Sequence, residues 1–203
     1  MTDLQWNPED YLLDFPDIPP YEGPLTGMAV PAKALKVKTC LVVEVLPEAR
    51  RCLNIGAQLA ALMLTLAAVD YMAGFYAGRQ STHSDFKDFL GRYFPKQYQP
   101  YLGAIYDQIR SGLIHNLAIS NPWKGRGIPF LIHPDSEKHL TPDNEGRFIF
   151  SVSYFLEDTR RAWWMYQYDI IMKGAEYPEL VAKFNRRFNK LDGRGAFMER
   201  LPD

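Results

Sequence analysis

Cysteine is scarce in this chain. Cys40 and Cys52 are the two thiols among 203 residues. Neither sits in a CxxC pair, and no histidine stands at zinc spacing from them. A disulfide framework has little to build on, so two free thiols in a reducing cytoplasm are expected. Charge of one sign is lacking too. With 23 bases and 24 acids the formal net charge is -1, which gives no overall electrostatic case for a nucleic-acid partner. The longest apolar run, 59–69 (LAALMLTLAAV), is bounded by Gln58 and Asp70 and is too short to span a bilayer. It reads as a buried helix of a bundle. The opening Met-Thr-Asp-Leu has no basic flank and no apolar h-region, so neither a signal peptide nor a membrane partner is expected. Glycine loops of the P-loop or dinucleotide type, a GxSxG elbow and internal repeats do not occur.

What is present suffices for a core. Hydrophobic residues make up 47% of the chain and aromatics 14%, so one ordinary domain with appendages is expected. Charge and proline are unevenly spread. Residues 1–33 hold six acids (Asp3, Glu9, Asp10, Asp14, Asp17, Glu22) against Lys33. The segment therefore carries -5 and the remainder +4, a mild bias that permits a polyanion ligand. Five prolines between Phe15 and Pro31 block helix and central strand alike. With Trp6, Tyr11, Phe15 and Tyr21 interleaved, 1–33 reads as an extended Pro-rich arm laid over its own domain or a second subunit, or as a partly ordered tail.

Residues 34–203 read as a single, mainly α domain: a helical up-and-down bundle with a small β-hairpin insertion. Residues 35–46 (LKVKTCLVVEVL) are rich in β-branched side chains and suit a strand, with a helix as the competing reading. Pro47 then opens a helix that meets no proline before Gly78, with Leu53, Ile55, Leu59, Leu62, Leu66, Val69, Met72 and Phe75 at helical spacing. Ser84 or Asp85 caps a short helix to about Tyr93. The next helix runs from about Tyr101 to Ala118, with Leu102, Ile105, Ile109 and Leu113 as its apolar stripe. Turn residues fill 120–147, and two short strands, 130–132 and 147–150, form the flap at about 120–150. Ser151 or Ser153 caps a helix to about Lys173, burying Val152, Phe155, Leu156, Thr159, Trp163 and Tyr166. Its other face is charged (Glu157, Asp158, Arg160, Arg161). Pro178 opens a last helix, with Leu180, Val181, Phe184 and Phe188 inward.

The stretch IYDQIRSGLIHN (105–116) carries an arginine and a histidine inside an apolar pattern. At about 100° per residue, Arg110 and His115 lie about 140° apart on a straight helix, whereas Ser111 and His115 share a face. Convergence of Arg110 and His115 needs a long arginine reaching round, a bend near Gly112, or a second copy of the helix. Cleaving RNA without a metal requires activating a 2′-hydroxyl, neutralising a crowded phosphorane and protonating the leaving oxygen. Histidine suits the proton transfers and arginine the phosphate. The structural alternative is an arginine paired with Asp107 or Asp70 and a histidine satisfied in a core.

The segment 48–172 resembles the HEPN superfamily of helical proteins, which carry an Arg-x(4–6)-His motif late in a four- or five-helix bundle. Here IRSGLIHN supplies the pair. ALMLTLAAVDYMAGFYAG (61–78) looks like the family's buried helix, with Asp70 facing the motif, and FSVSYFLEDTRRA (150–162) looks like the strand-to-helix entry that follows it. The resemblance implies a homodimer formed through the 101–118 helix. It also implies a metal-independent endoribonuclease of the toxin-antitoxin or defence kind, with RNA and a protein partner such as an antitoxin as ligands. On that reading His115 is the acid/base group, Arg110 binds the scissile phosphate, Asp70 orients Arg110, and Ser111 and Asn116 support them. Ser111 departs from the Asn, Asp or His common after the arginine in active members, and some members only bind RNA or a partner. A non-catalytic interaction module stays open beside the enzyme, as does a small-molecule or nucleotide binder.

Trp123, Lys124 and Arg126, in a flexible loop after the motif helix, could stack a base and hold a phosphate. An exposed loop with a tucked tryptophan is the favoured explanation of the three. His133 and His139 stand near Asp135 and Glu137, but turn composition accounts for the cluster, so no metal is expected, and no cofactor. Arg160-Arg161 and Arg186-Arg187 read as solvated faces.

Overall fold

A computed structural model describes residues 30–116 and 128–192. Residues 1–29 of the expected arm, and Trp123, Lys124 and Arg126, lie outside the described residues. The protein is mainly helical with one small sheet. The bundle begins with α1 (Val30–Lys38), a π segment (Thr39–Val45) and α2 (Leu46–Asn54). The strand expected at 35–46 is therefore helix, and Val30 to Lys33 belong to α1 rather than to an arm. The reason is burial. Ala34, Val37 and Leu41 are sealed at 0–1% exposure, followed by Leu46 and Ala49. Steps of three and four residues fit an α-helix, and the five-residue step from Leu41 to Leu46 is the extra residue that a π turn absorbs. Packing of this face outweighs the β preference of the valines.

The helix expected to run unbroken from Pro47 to Gly78 is interrupted. Gly56 sits at φ +81°, a backbone conformation suited to glycine, and turns the chain from α2 into α3 (Gln58–Ala77). Ile55, at this corner, is 81% exposed. Helix α3 is the core of the fold. Ala61, Leu62, Leu66, Val69, Met72 and Phe75 are all fully buried, each large side chain contributing about 1.5–3 kcal/mol. It packs against α2, α4 (His83–Tyr93), α7 (Val152–Ile171) and α8 (Pro178–Asp192). By length and hydropathy α3 could cross a membrane, but more than half of its apolar window is covered by these neighbours.

Gly78 closes α3 in the left-handed conformation (φ +75°), its N–H donating to Phe75 O at 3.2 Å. A Cβ here would meet Lys183 Cα at 2.9 Å. Gly78→Ala combines a positive φ with this backbone clash. Loss of about 2 kcal/mol or more is expected, read by denaturant unfolding. Thr82, rather than Ser84 or Asp85, caps α4. Its backbone N–H donates to Asp85 Oδ2 at 2.8 Å, the reciprocal arrangement of a capping box.

A 3₁₀ turn (Lys96–Tyr101), α5 (Leu102–Ala104), a second π segment (Ile105–Arg110) and α6 (Ser111–Asn116) make up the motif helix. Ile105, Ile109 and Leu113 are its buried stripe. The flap differs from the expected hairpin. Strands β1 (Phe130–His133) and β2 (Phe148–Ser151) pair in parallel, Phe130 opposite Phe148. The connection is long enough for a parallel crossover. A tight antiparallel turn does exist, but between 140–142 and β2: Leu140 N–H donates to Ile149 O at 2.7 Å and Ile149 N–H to Thr141 O at 3.0 Å. Ser151 stands before α7 as expected, and the six expected core residues of α7 are buried. Asp158, assigned to its charged face, is buried as well, at 6% exposure.

Candidate functional site

Asp70 projects from the middle of α3 and Arg110 ends the second π segment. Arg110 Nε donates to Asp70 Oδ2 at 2.8 Å, and Nη2 lies 2.8 Å from the same oxygen as an ion pair. Ser81 Oγ donates to the other carboxylate oxygen, Asp70 Oδ1, at 2.9 Å. Both charged side chains are 21% exposed, so the pair lies at the rim of the bundle rather than inside it. Arg110 Nη1 has no hydrogen-bond acceptor among the described residues. The guanidinium also lies over the Tyr106 ring, 5.1 Å from its centroid, a cation–π contact that flattens it against its own helix.

The π geometry sets this placement. Ser111 N–H donates to Tyr106 O, five residues back. The extra residue slips the helical phase by about 100° before α6 begins. Tyr106 packs on His83 (rings 4.3 Å apart) and Phe86 (5.2 Å) at the start of α4, just beyond the end of α3, while Arg110 reaches Asp70 in the middle of α3. The motif helix is thus anchored at two points, Tyr106 beside the start of α4 and Arg110 on α3. His115 is exposed, and no hydrogen bond or ion pair joins it to Arg110 among the described residues.

Of the site residues read from sequence, Asp70 and Arg110 are brought together. Ser111 and His115 follow in α6, and nothing is described for the Asn116 side chain. Three partners escaped sequence reading. Ser81 and His83 sat in what looked like a loop, and Tyr106 lay outside the apolar stripe and was given no role. Its position four residues before Arg110 is the one signal that could have found it. His83 Nε2 lies 3.6 Å from Asp107 Oδ1, so a second imidazole borders the arginine through Tyr106.

Comparison with family models, curated proteins and solved structures returns no match.

The flap histidines are placed apart in role. His133 is exposed, its Nδ1 accepting from Asp135 N–H at 3.1 Å. His139 is 4% exposed and committed on both sides. Its Nδ1 accepts from Ser151 N–H at 2.9 Å, and its Nε2 lies 2.8 Å from Tyr98 Oη. With Nδ1 accepting, the ring proton sits on Nε2 and donates to Tyr98, whose hydroxyl donates to Asp158 Oδ2 at 2.8 Å. Burial holds His139 down at about 4, and burial raises Asp158 even though Tyr98 and Arg161 oppose it. This relay joins flap, 3₁₀ turn and α7. It borders a cleft of about 630 Å³ lined in part by Arg50, Asp135, Ser153, Glu157 and Arg161. The cleft's charges are satisfied largely among themselves: Arg50 with Glu157, Asp158 with Arg161, and Ser153 with Asp135 at 2.6 Å. The cleft stands apart from the Arg110–Asp70 pair.

Proposed function

We propose that this protein is a HEPN-like, metal-independent endoribonuclease that works through Arg110 and His115. The observation that carries the reading is the Asp70–Arg110 pair, held at 2.8 Å and braced by Ser81, with Arg110 Nη1 left for another acceptor. A carboxylate on one edge of a guanidinium fixes its plane and leaves the remaining N–H groups for a phosphate oxygen. In this reading Arg110 neutralises the charge that builds on the phosphorane. His115, exposed five residues further on, moves the proton between the 2′-hydroxyl and the leaving oxygen. Asp70 is a positioning residue. Two copies of the motif helix, antiparallel across a two-fold axis, would bring His115 of one copy to Arg110 of the other.

The test is incubation of the purified protein with RNA in EDTA. Wild type is expected to cleave and His115→Ala to fall at least 100-fold. Equal background cleavage by both ends the enzyme reading. Light scattering on the same samples is expected to give twice the chain mass, and a monomer would count against a composite site. A non-catalytic dimeric or RNA-binding module, with a protein such as an antitoxin as a further partner, is the second reading. It is favoured by the same ion pair, which also serves to pin the motif helix to α3.

A further inference from the structure

Helix α8 has two faces of opposite character. Leu180, Phe184 and Phe188 are buried against the bundle. Lys183, Arg186, Arg187 and Lys190 recur at i, i+3, i+4 and i+7 and so share another face. No acid interrupts the helix between Glu179 and Asp192, so 180–191 carries four positive charges and no negative one. Sequence reading treated Arg186 and Arg187 as a solvated face, yet the structure gives this stripe a definite place. A Cβ built on Gly74 would lie 3.4 Å from Arg187 Nε, and one on Gly78 would lie 2.8 Å from Arg186 Nη2 and 2.9 Å from Lys183 Cα. Lys183 Nζ stands 5.9 Å from the centre of the Tyr76 ring.

Asp70, Gly74 and Gly78 follow one another at four-residue steps along α3, about 6 Å apart. Arg110 sits on the first, Arg187 on the second, and Arg186 with Lys183 on the third. The order along α3 is thus Arg110, Arg187, then Arg186 and Lys183: a row of cations beginning at the candidate site. Neither Arg186 nor Lys183 has an ion-pair partner among the described residues. No large apolar side chain is exposed on α8, which argues against a helix that lies in a membrane surface.

We propose that the basic face of α8 is a second phosphate-binding element, which extends the Arg110 site along α3 and holds the backbone of a single RNA strand several nucleotides long. The inference rests on the RNA reading of that site. It assigns Lys183 and Arg186 as strand-binding residues and makes the preferred ligand an oligonucleotide rather than a mononucleotide.

The experiment measures fluorescence anisotropy of a labelled, 2′-O-methylated 12-nucleotide RNA, which cannot be cleaved at its blocked 2′ positions, across a salt series. Wild type is compared with the double variant Lys183→Gln/Arg186→Gln, whose unfolding curve is checked against wild type. Affinity is expected to fall about tenfold at low salt, and the salt slope to drop by about 1.4, for two lost phosphate contacts. AMP binding is expected to be unchanged. An unchanged slope and affinity in a folded double variant overturns the inference, whatever the cleavage assay shows. Equal competition by polyglutamate of matched charge overturns it as well. If His115→Ala leaves cleavage unchanged while the double variant loses the strand, the nuclease reading fails and the α8 element stands.

Discussion

Between pH 6.5 and pH 4 the folded protein is expected to lose about 3 kcal/mol of stability through His139. Burial lowers this imidazole from 6.5 to about 4, and its Nδ1 is taken by the Ser151 N–H, so the folded state has no place for a second ring proton. The unfolded chain protonates first on acidification. The contribution is therefore fully present above about 6.5, declines below it, and is lost as pH falls through about 4. At about 1.4 kcal/mol for each tenfold change in proton affinity, the total is about 3 kcal/mol. Asp158 acts with the opposite sign. Its carboxyl is raised from 3.8 by burial, so its contribution is present below that value and lost as pH rises through its folded pKa, opposing part of the loss. Urea unfolding at pH 7, 5.5 and 4.5 measures the balance. His139→Phe is expected to flatten the profile and to cost about 1–3 kcal/mol at pH 7, because Ser151 N–H and Tyr98 lose a partner. A variant that keeps the wild-type slope would place the proton uptake elsewhere.

A double-mutant cycle on Asp70 and Arg110 is expected to give a coupling of about 1–2 kcal/mol in stability. That lies between a surface ion pair and a buried charge-assisted hydrogen bond, as 21% exposure of both partners warrants. The same variants separate positioning from pinning. If Asp70 aims Arg110 at a phosphate, Asp70→Asn lowers kcat for RNA about 100-fold with KM little changed, the scale expected of a misplacement near 1 Å. Asp70→Glu then recovers part of the rate. If the pair only fastens the motif helix to α3, stability falls and the mass in light scattering shifts, with no rate to lose.

The helical domain, its buried α3 and the cores of α7 and α8 were legible in the sequence because each repeats an apolar face with an α period over several turns. The two π segments were not. An inserted residue breaks the period at one point, and from composition TCLVVEV looks like strand rather than helix with a dislocated face. Gly56 was passed over because the apolar pattern resumes in phase soon after it. The parallel pairing of β1 with β2 is a long-range choice that local turn residues cannot announce. In the site, Asp70 and Arg110 were legible as types with matching chemistry. The commitment of His139 to Tyr98 and Ser151 was not, since it depends on a flap folding over a 3₁₀ turn. The basic face of α8 was visible as spacing, but its alignment with Gly74 and Gly78 needed three dimensions.

Gln108 forms a two-point clamp with Ile128: its Nε2 donates to Ile128 O at 2.8 Å, and Ile128 N–H donates to its Oε1 at 2.9 Å. The clamp lies two residues before Arg110. It fastens the chain just before β1 to the motif helix beside Arg110. Both polar ends of the Gln108 amide are committed, so Gln108→Ala would leave the Ile128 N–H and C=O without this partner and loosen the flap from the motif helix without touching a charge.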